Sequence, residues 1–418
     1  MSKRQPRTAT TAPTSAKVRG VKLERVAPTS PSSGGAVRVR LGSHERVLDP
    51  TTVQLLSFVL ALVVFGLVMV LSSSAVEQFA AGENFSGKFI KQLITAMIGL
   101  PFLVIAMRQP AAIWRKLATP AILLALLLEL LVFTPLGYSV GENRAWLSIG
   151  GFTFQPAEAT KTALIIWIAK FFDDHRGKLD RLMNYAPKLV IWLGVIIGPI
   201  IIGKDLGTTM VIGALVLGGM WFGGVPLRHI GIAVGAAVAG ALALASTSSI
   251  RVARMTSFFT GQCDYEDLCW QTSHGLYALA AGGIFGQGLG NSRAKWSWLP
   301  EADNDFIFAI IGEEVGMLGC LGVIALFVGL IVVLVKVIGH SRTTFTRTAV
   351  GAFLVWIAFQ AFVNIAVVLG LLPVLGVPLP FVSSGGSALI TTMLAAGIVL
   401  SLAKEQPTRT SPERTRTR

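Results

Sequence analysis

The sequence predicts an all-α, polytopic membrane protein of about ten transmembrane helices, with one large extracytoplasmic loop between spans seven and eight. Three observations predict it. Hydrophobic residues make up 53% of the 418-residue chain and charged residues only 14%, against about 25% charge in soluble domains. Apolar runs of spanning length follow one another from about residue 52 to residue 403. The net charge of +14 is also unevenly placed. With both tails cytoplasmic, 27 of the 36 lysines and arginines fall on the cytoplasmic side, the asymmetry of the positive-inside rule. That placement, without zinc-finger spacing or a basic–aromatic stripe, argues against nucleic-acid binding.

Taken in order, residues 1–48 are rich in Thr, Ser, Pro, Arg and Lys and lack hydrophobic periodicity, which predicts a disordered basic cytoplasmic tail. The first apolar run, near 55–74, is long enough to act as an uncleaved anchor. Further spans fall near 89–107, 117–134, 157–172, 188–203, 207–223, 229–247, 306–337, 348–370 and 386–403. The helical domain is thus bounded at 49–403, and a short basic cytoplasmic tail fills 404–418. An even number of crossings puts both termini on one side.

Three outer connections stand out. Residues 135–156 hold "GENRAWLSIGGFTFQPAE", residues 248–305 form the large loop, and residues 371–385 are stiffened by Pro373, Pro378 and Pro380. Cys263 and Cys269 bracket "CDYEDLC" in the large loop; on an oxidising face they are placed to form a disulfide. Cys320 lies in an apolar run and reads as a core residue.

The stretch "LPEADNDFIFAIIGEEVG" (299–316) collects Glu301, Asp303, Asp305, Glu313 and Glu314 at the head of an apolar helix. From Asp305 to Lys336 the run would reach roughly 48 Å as one helix, against an apolar core of about 30 Å. Either the helix tilts or its first third stands above the core. The second option puts Asp305 in the outer aqueous region and lets Glu313 and Glu314 line an outward-facing site. Arg144, Lys161, Lys204, Arg251, Arg254, Arg293 and Lys295 lie on the same side. Glu158 and Lys161 share a helix face, Asp205 sits at a helix start, and each such pair also reads as an ion pair fixing helix packing. Arg144 has no obvious local partner. No P-loop, HExxH or cysteine-rich metal spacing occurs. A carboxylate base beside cations suits attack by a sugar hydroxyl on a diphosphate-activated centre. An ion-coupled transporter with intramembrane acids is the rival reading.

Five segments together resemble the SEDS family (shape, elongation, division and sporulation). They are "LVMVLSSSA" (67–75), "NRAWLSIGGFTFQPAEATK" (143–161), "KDLGTTMVIGALVL" (204–217), "GGIFGQGLGNSRAKWSWLPEADNDFIFAIIGEEVG" (282–316) and "LPVLGVPLPFVSSGGSAL" (372–389). The resemblance covers residues 52–403 and is strongest to the division branch, of the actinobacterial type with a long basic leading tail. It implies a peptidoglycan glycosyltransferase that polymerises lipid II at the outer face of the cytoplasmic membrane during septal wall synthesis. In this reaction undecaprenyl diphosphate leaves and the anomeric centre inverts. A lipid II flippase and an elongation-branch polymerase are the alternatives. By position, the resemblance makes Asp305 the catalytic residue. It makes Arg144, Lys161, Lys295, Glu301 and Ser387 contacts to substrate or diphosphate, with Glu158, Asp205, Asp303, Glu313 and Glu314 in support. It implies a class B penicillin-binding protein as partner, division proteins on the cytoplasmic tails, a divalent cation (magnesium or manganese) as the one candidate cofactor, and no organic cofactor. The sequence departs from the family pattern at Asp303-Asn304, where His-Thr is usual, and at Ser384, where Tyr is usual.

Overall fold

The computed structural model describes residues 49–80, 87–150, 152–260, 269–296 and 299–404. The readings made for residues 1–48, for the tail beyond Lys404 and for Cys263 lie outside the described residues. Ten helices occupy the ten predicted spans: α1 (Pro50–Ala80), α2 (Gly87–Arg108), α3 (Ala111–Leu131), α4 (Pro156–Asp174), α5 (Ala186–Ile202), α6 (Leu206–Gly223), α7 (Leu227–Ala245), α10 (Ile307–His340), α11 (Thr344–Val368) and α12 (Gly386–Lys404). Eight are long and apolar enough to cross a membrane, and α5 is a shorter apolar helix. The remaining one, α4, carries Glu158, Lys161, Lys170, Asp173 and Asp174, which explains its lower apolarity. This is the architecture of a multi-pass membrane protein.

Three helices form the centre. Nearly every residue of α4 between Pro156 and Phe172 is buried, and α11 and α12 are buried along most of their length. A helix buried all round needs no amphipathic face. The helices α3 and α7 lie at the periphery, and α7 buries only His229 and Ala245. Small residues set the closest approaches: Gly219 and Gly223 of α6 lie against Ile168 and Phe172 of α4, as expected where backbones pack without a hydrophobic drive between helices.

Three features of the outer connections add to the predicted helical fold. The chain is helical as expected, and residues 137–154 add a small antiparallel sheet, β1 (Gly137–Val140), β2 (Asn143–Ile149) and β3 (Phe152–Phe154), in the order β1-β2-β3. Its first hairpin turns through Gly141, at φ 58°, and Arg144 N–H donates to the Gly203 carbonyl, docking the sheet on the turn between α5 and α6. Within the large loop, the described residues form α8 (Ser249–Thr260) and α9 (Trp270–Gly282). Finally, α10 is broken at Gly316, where φ 77° and ψ −170° leave the helical region, a conformation open to glycine. Residues 307–315 therefore form a separate outer piece. The roughly 36 Å from Met317 to His340 suffices for the crossing.

Candidate active site

Asp305 closes a stack of turns over residues 299–306. Glu301 starts it at φ 55°, a left-handed conformation, and its carbonyl accepts from Asn304 N–H and Phe306 N–H, both at 3.1 Å. Phe306 is fully buried and pins the end. The stack is tied to the proline-rich turn before α12. Ser384 N–H donates to the Asp303 carbonyl at 2.8 Å, Ser384 Oγ to the Asp303 carboxylate at 3.0 Å, and Ser383 Oγ to the Asn304 carbonyl at 2.7 Å. Lys88 of α2 pairs with Asp303 at 3.2 Å. Asn364 of α11 donates to the carbonyls of Asp305 and Val377, both at 2.8 Å.

All these bonds hold the backbone and neighbours of Asp305 and leave its carboxylate free. Oδ1 is buried without a hydrogen-bond partner. Oδ2 lies 3.6 Å from where a side chain on Gly376 would begin. Burial pushes the Asp305 carboxyl up to about 7; the negative fields of Glu301, Asp205 and Asp303 add to the rise and Arg254 opposes it. A carboxylate with that pKa is poised to take a proton near neutrality.

Gly376 also borders a cavity of about 690 Å³ between α6, α7, α8 and α11. Its walls are apolar, with Met210, Val238, Leu242, Phe359 and Phe362 among them. Arg251 and Arg254, three residues apart on α8, stand on its lining. Arg251 Nη2 donates to the Lys204 carbonyl and, at 3.5 Å, to Asn143; Nη1 is buried and unpartnered. Nη1 is thus enclosed rather than open to the cavity, and the two arginines bring positive charge to an otherwise apolar wall.

The structure brings some of the expected site residues to Asp305 and turns others inward. Asp303, Glu301 and Asp205 surround it electrostatically. Asp205 caps α6, accepting from Thr208 N–H at 3.0 Å and from Gln155 at 2.8 Å. Ser387 Oγ accepts from Gln155 N–H at 3.3 Å, at the head of α4. Lys161 is buried, 2.8 Å from Glu158, 3.3 Å from Gln360 Oε1 and 4.8 Å from the Trp356 ring centre. Lys295 is 1% exposed and pairs with Glu314 at 2.9 Å, also donating to the Ser72 and Gly290 carbonyls. For these two lysines the geometry is that of internal ion pairs.

The expectation that Glu313 and Glu314 line an outward-facing site is corrected. Both are buried. Glu313 accepts from Ser292 Oγ and from the N–H groups of Arg293 and Ala294, fixing the approach to the turn stack. Arg144 also has partners the sequence did not reveal: its guanidinium donates to the Val132 and Thr134 carbonyls at 3.0 and 3.2 Å, capping α3. Cys269 is not a free thiol; its expected partner, Cys263, lies outside the described residues.

Sequence reasoning under-ranked Arg251 and Arg254 and missed Asn364. Their signals were faint: two arginines at i, i+3 inside a loop, and a lone amide in an apolar helix. Backbone strain is a further pointer. Among the described residues the non-glycine residues at positive φ are Lys204, Glu301 and Phe381, all in connections at the Asp305 end, and such outliers gather at functional sites.

A one-sided site of this kind, an unpaired carboxylate next to an apolar cavity that carries two arginines, defines a multi-pass membrane protein suited to an anionic amphiphile. Comparison with known proteins agrees. The family model FTSW_RODA_SPOVE, "cell cycle protein", matches residues 53–408. The chain is 34% identical to the probable peptidoglycan glycosyltransferase FtsW of Mycobacterium tuberculosis, over 93% of this chain and 74% of that one. It is 35% identical to the FtsW of Trichlorobacter lovleyi of the same description, over 83% and 92%. Among solved structures it resembles a chain of a peptidoglycan synthase complex that coordinates polymerization and crosslinking (24% identity, 84% and 97% covered, TM-score 0.68). It also resembles the rod shape determining protein RodA of Thermus thermophilus (25%, 85% and 97%, TM-score 0.63). The chain belongs to the FtsW/RodA/SpoVE family.

Proposed function

We propose that the protein is a peptidoglycan glycosyltransferase of the division type, polymerising lipid II at the outer face of the cytoplasmic membrane. The observation that carries this reading is the free Asp305 carboxylate beside an apolar cavity bearing Arg251 and Arg254. Asp305 takes the proton of the acceptor sugar's 4-hydroxyl. The oxygen forms a bond to C1 of the donor MurNAc as the C1–O bond to the diphosphate breaks. The configuration inverts, undecaprenyl diphosphate leaves, and the proton stays on Asp305 until solvent removes it. Arg251 and Arg254 meet the charge growing on the leaving diphosphate, and the apolar walls take the first part of the lipid chain. This assigns the diphosphate to α8 in place of Lys161 and Lys295, which are held inside. Among the described residues no three His, Cys, Asp or Glu side chains come together to hold an ion by themselves; a magnesium or manganese ion would be held by a single carboxylate such as Asp305 with the substrate's diphosphate, and would supply charge to the leaving group.

The partner in this reading is a class B penicillin-binding protein that crosslinks the glycan. Support comes from the relative solved within a synthase complex. Placement at the septum and cytoplasmic termini belong to the same proposal, supported by the division-type relatives and by the basic tails.

The test is polymer formation from labelled lipid II by purified protein with its cognate transpeptidase, with moenomycin silencing other polymerases. Wild-type polymer is expected; none, with the partner bound, would overturn the reading. Arg251→Gln and Arg254→Gln are each expected to lower kcat/KM roughly tenfold or more, the worth of one charge-assisted hydrogen bond. Steady-state kinetics at fixed pH checks this. Unchanged kcat/KM in both variants would remove α8 from the diphosphate site.

The pH dependence follows from the same carboxyl. A base works deprotonated, so with a pKa of about 7 the rate is expected to rise about tenfold between pH 6 and pH 8. Arg254→Gln removes the opposing positive field and is expected to move that limb to higher pH. Asp303→Asn removes a negative field and is expected to move it lower. A flat profile across this range would exclude Asp305 as the titrating base.

A further inference from the structure

At the end of the bundle opposite Asp305 lies a second cavity, of about 260 Å³, walled by the segment after α4, by the α6–α7 turn and by the α10–α11 turn. Arg176 reaches it from the segment after α4, Arg342 and Arg347 from the α10–α11 turn and the start of α11, and Asp180 is the acid on its lining. Three guanidinium groups against one carboxylate leave two positive charges in excess. The nearby Asp173 and Asp174 are both held by Arg115 of α3, at 2.5 and 2.6 Å, so that group carries only one negative charge against the excess. Arg347 is aimed by its backbone neighbour: Nε donates to the Phe222 carbonyl at 2.9 Å, at the end of α6. Its Nη2 lies 3.6 Å from where a side chain on Gly224 would begin. The first turn of α11 opens onto the same space, with Thr343 as its cap, and helix N-termini favour anions.

The depth of the cavity narrows its ligand. Two of its walls are three-residue turns, 224–226 and 341–343, each joining two spanning helices. Such short turns stay within roughly 10 Å of the helix ends, which places the cavity at the level of lipid headgroups. Positive charge near the ends of inner loops is ordinary for membrane proteins. Convergence of three segments on one half-open polar pocket, with Arg347 fixed by the end of α6, makes a site.

We infer that this cavity binds a phosphate group, carried by an anionic phospholipid of the leaflet opposite the catalytic face. Arg176 and Arg342 are its adjustable contacts and Arg347 its fixed one. The site is a lipid anchor distinct from the apolar cavity beside Asp305. It does not depend on the proposed reaction.

Native mass spectrometry of the full-length protein in detergent tests this, with dioleoyl phosphatidylglycerol and dioleoyl phosphatidylcholine as competing probes. Melting curves with inorganic phosphate form a second arm. Wild type is expected to retain phosphatidylglycerol in preference. Each of Arg176→Gln and Arg342→Gln is expected to weaken that preference roughly fivefold, the worth of one basic residue at an anionic surface. Stabilisation by inorganic phosphate that the variants lose, without a lipid preference, would keep the phosphate site and assign it a soluble ligand. Equal retention of both lipids with no phosphate effect, or a preference unchanged in the double variant, overturns the inference. Should the double variant fail to fold, Arg342→Gln alone, at an exposed position, gives the same reading.

Discussion

Asp305→Asn is expected to lower the polymerisation rate by about 10²–10⁴-fold, the range a positioned general base contributes, in a protein that folds at least as well as wild type. The second half of that expectation separates a chemical role from a structural one. The buried carboxyl has its pKa raised to about 7, above its unfolded value of about 3.9. Folding therefore favours the protonated form. The sign follows: below the unfolded value both states are protonated and the site costs nothing, stability falls as pH rises from about 4 to about 7, and above that the full cost of the buried charge is present. Asparagine carries no charge to bury, so the variant should melt above wild type at pH 8, and the gap should narrow at pH 6. Such a gain of stability with loss of activity is the signature of a site held in strain for function. A variant that loses both would mark Asp305 as a packing residue. Asp303→Asn serves as the contrast: its partners Lys88 and Ser384 tie two turns together, so it should retain polymerisation.

The second large effect concerns Lys295 and Glu314. Both side chains are essentially without solvent, so removing one partner leaves the other charge buried alone. Glu314→Met and Lys295→Met are each expected to destabilise the fold by about 3–5 kcal/mol. The double substitution, which removes both charges and fills the space with apolar volume, should recover most of the loss, because a buried pair is worth little beyond its own desolvation. Melting of the four proteins in detergent, read as a double-mutant cycle, checks this. The double variant also decides the role of Lys295. Retained polymerisation makes it a strut; a stable double variant without activity would return it to the diphosphate.

The order and placement of the ten helices were legible because eight are apolar runs of spanning length and α4 and α5 are shorter or less apolar runs between them, a signal that survives any packing arrangement. The acidic cluster around Asp305 was legible for a different reason, since charge at the head of an apolar run is costly and stands out; the choice of Asp305 within it came from the family resemblance. What stayed hidden was set by distance in space. Lys295 and Glu314 are 19 residues apart in sequence and on different elements, so nothing local announces their pairing. The same holds for Glu313, whose partners lie at Ser292, Arg293 and Ala294. The strands of β2 and β3 are too short to display period-two alternation above the noise of Gly150 and the surrounding polar residues. Arg254 lacks a motif because its role comes from the cavity beside it. Gly316 looked like any glycine in an apolar helix until its backbone angles separated 307–315 from the rest of α10.

That break bears on how the protein meets membranes of different thickness. A continuous rod from Asp305 to His340 would carry the carboxylate up or down whenever the helix tilted to match a thicker or thinner bilayer. With the joint at Gly316, the lower rod can change tilt while the outer piece stays clamped. The clamps are Gln287 and Gly288 N–H, bonded to the carbonyls of Glu313 and Glu314 at 2.9 and 3.0 Å, and the top of the lower rod is pinned to the same segment by Met317 and Leu318 N–H, bonded to the Gly283 and Ile284 carbonyls, so that rod pivots about a fixed upper end. The height of Asp305 above the lipid is then a property of the protein's own outer scaffold, and hydrophobic mismatch is absorbed below it.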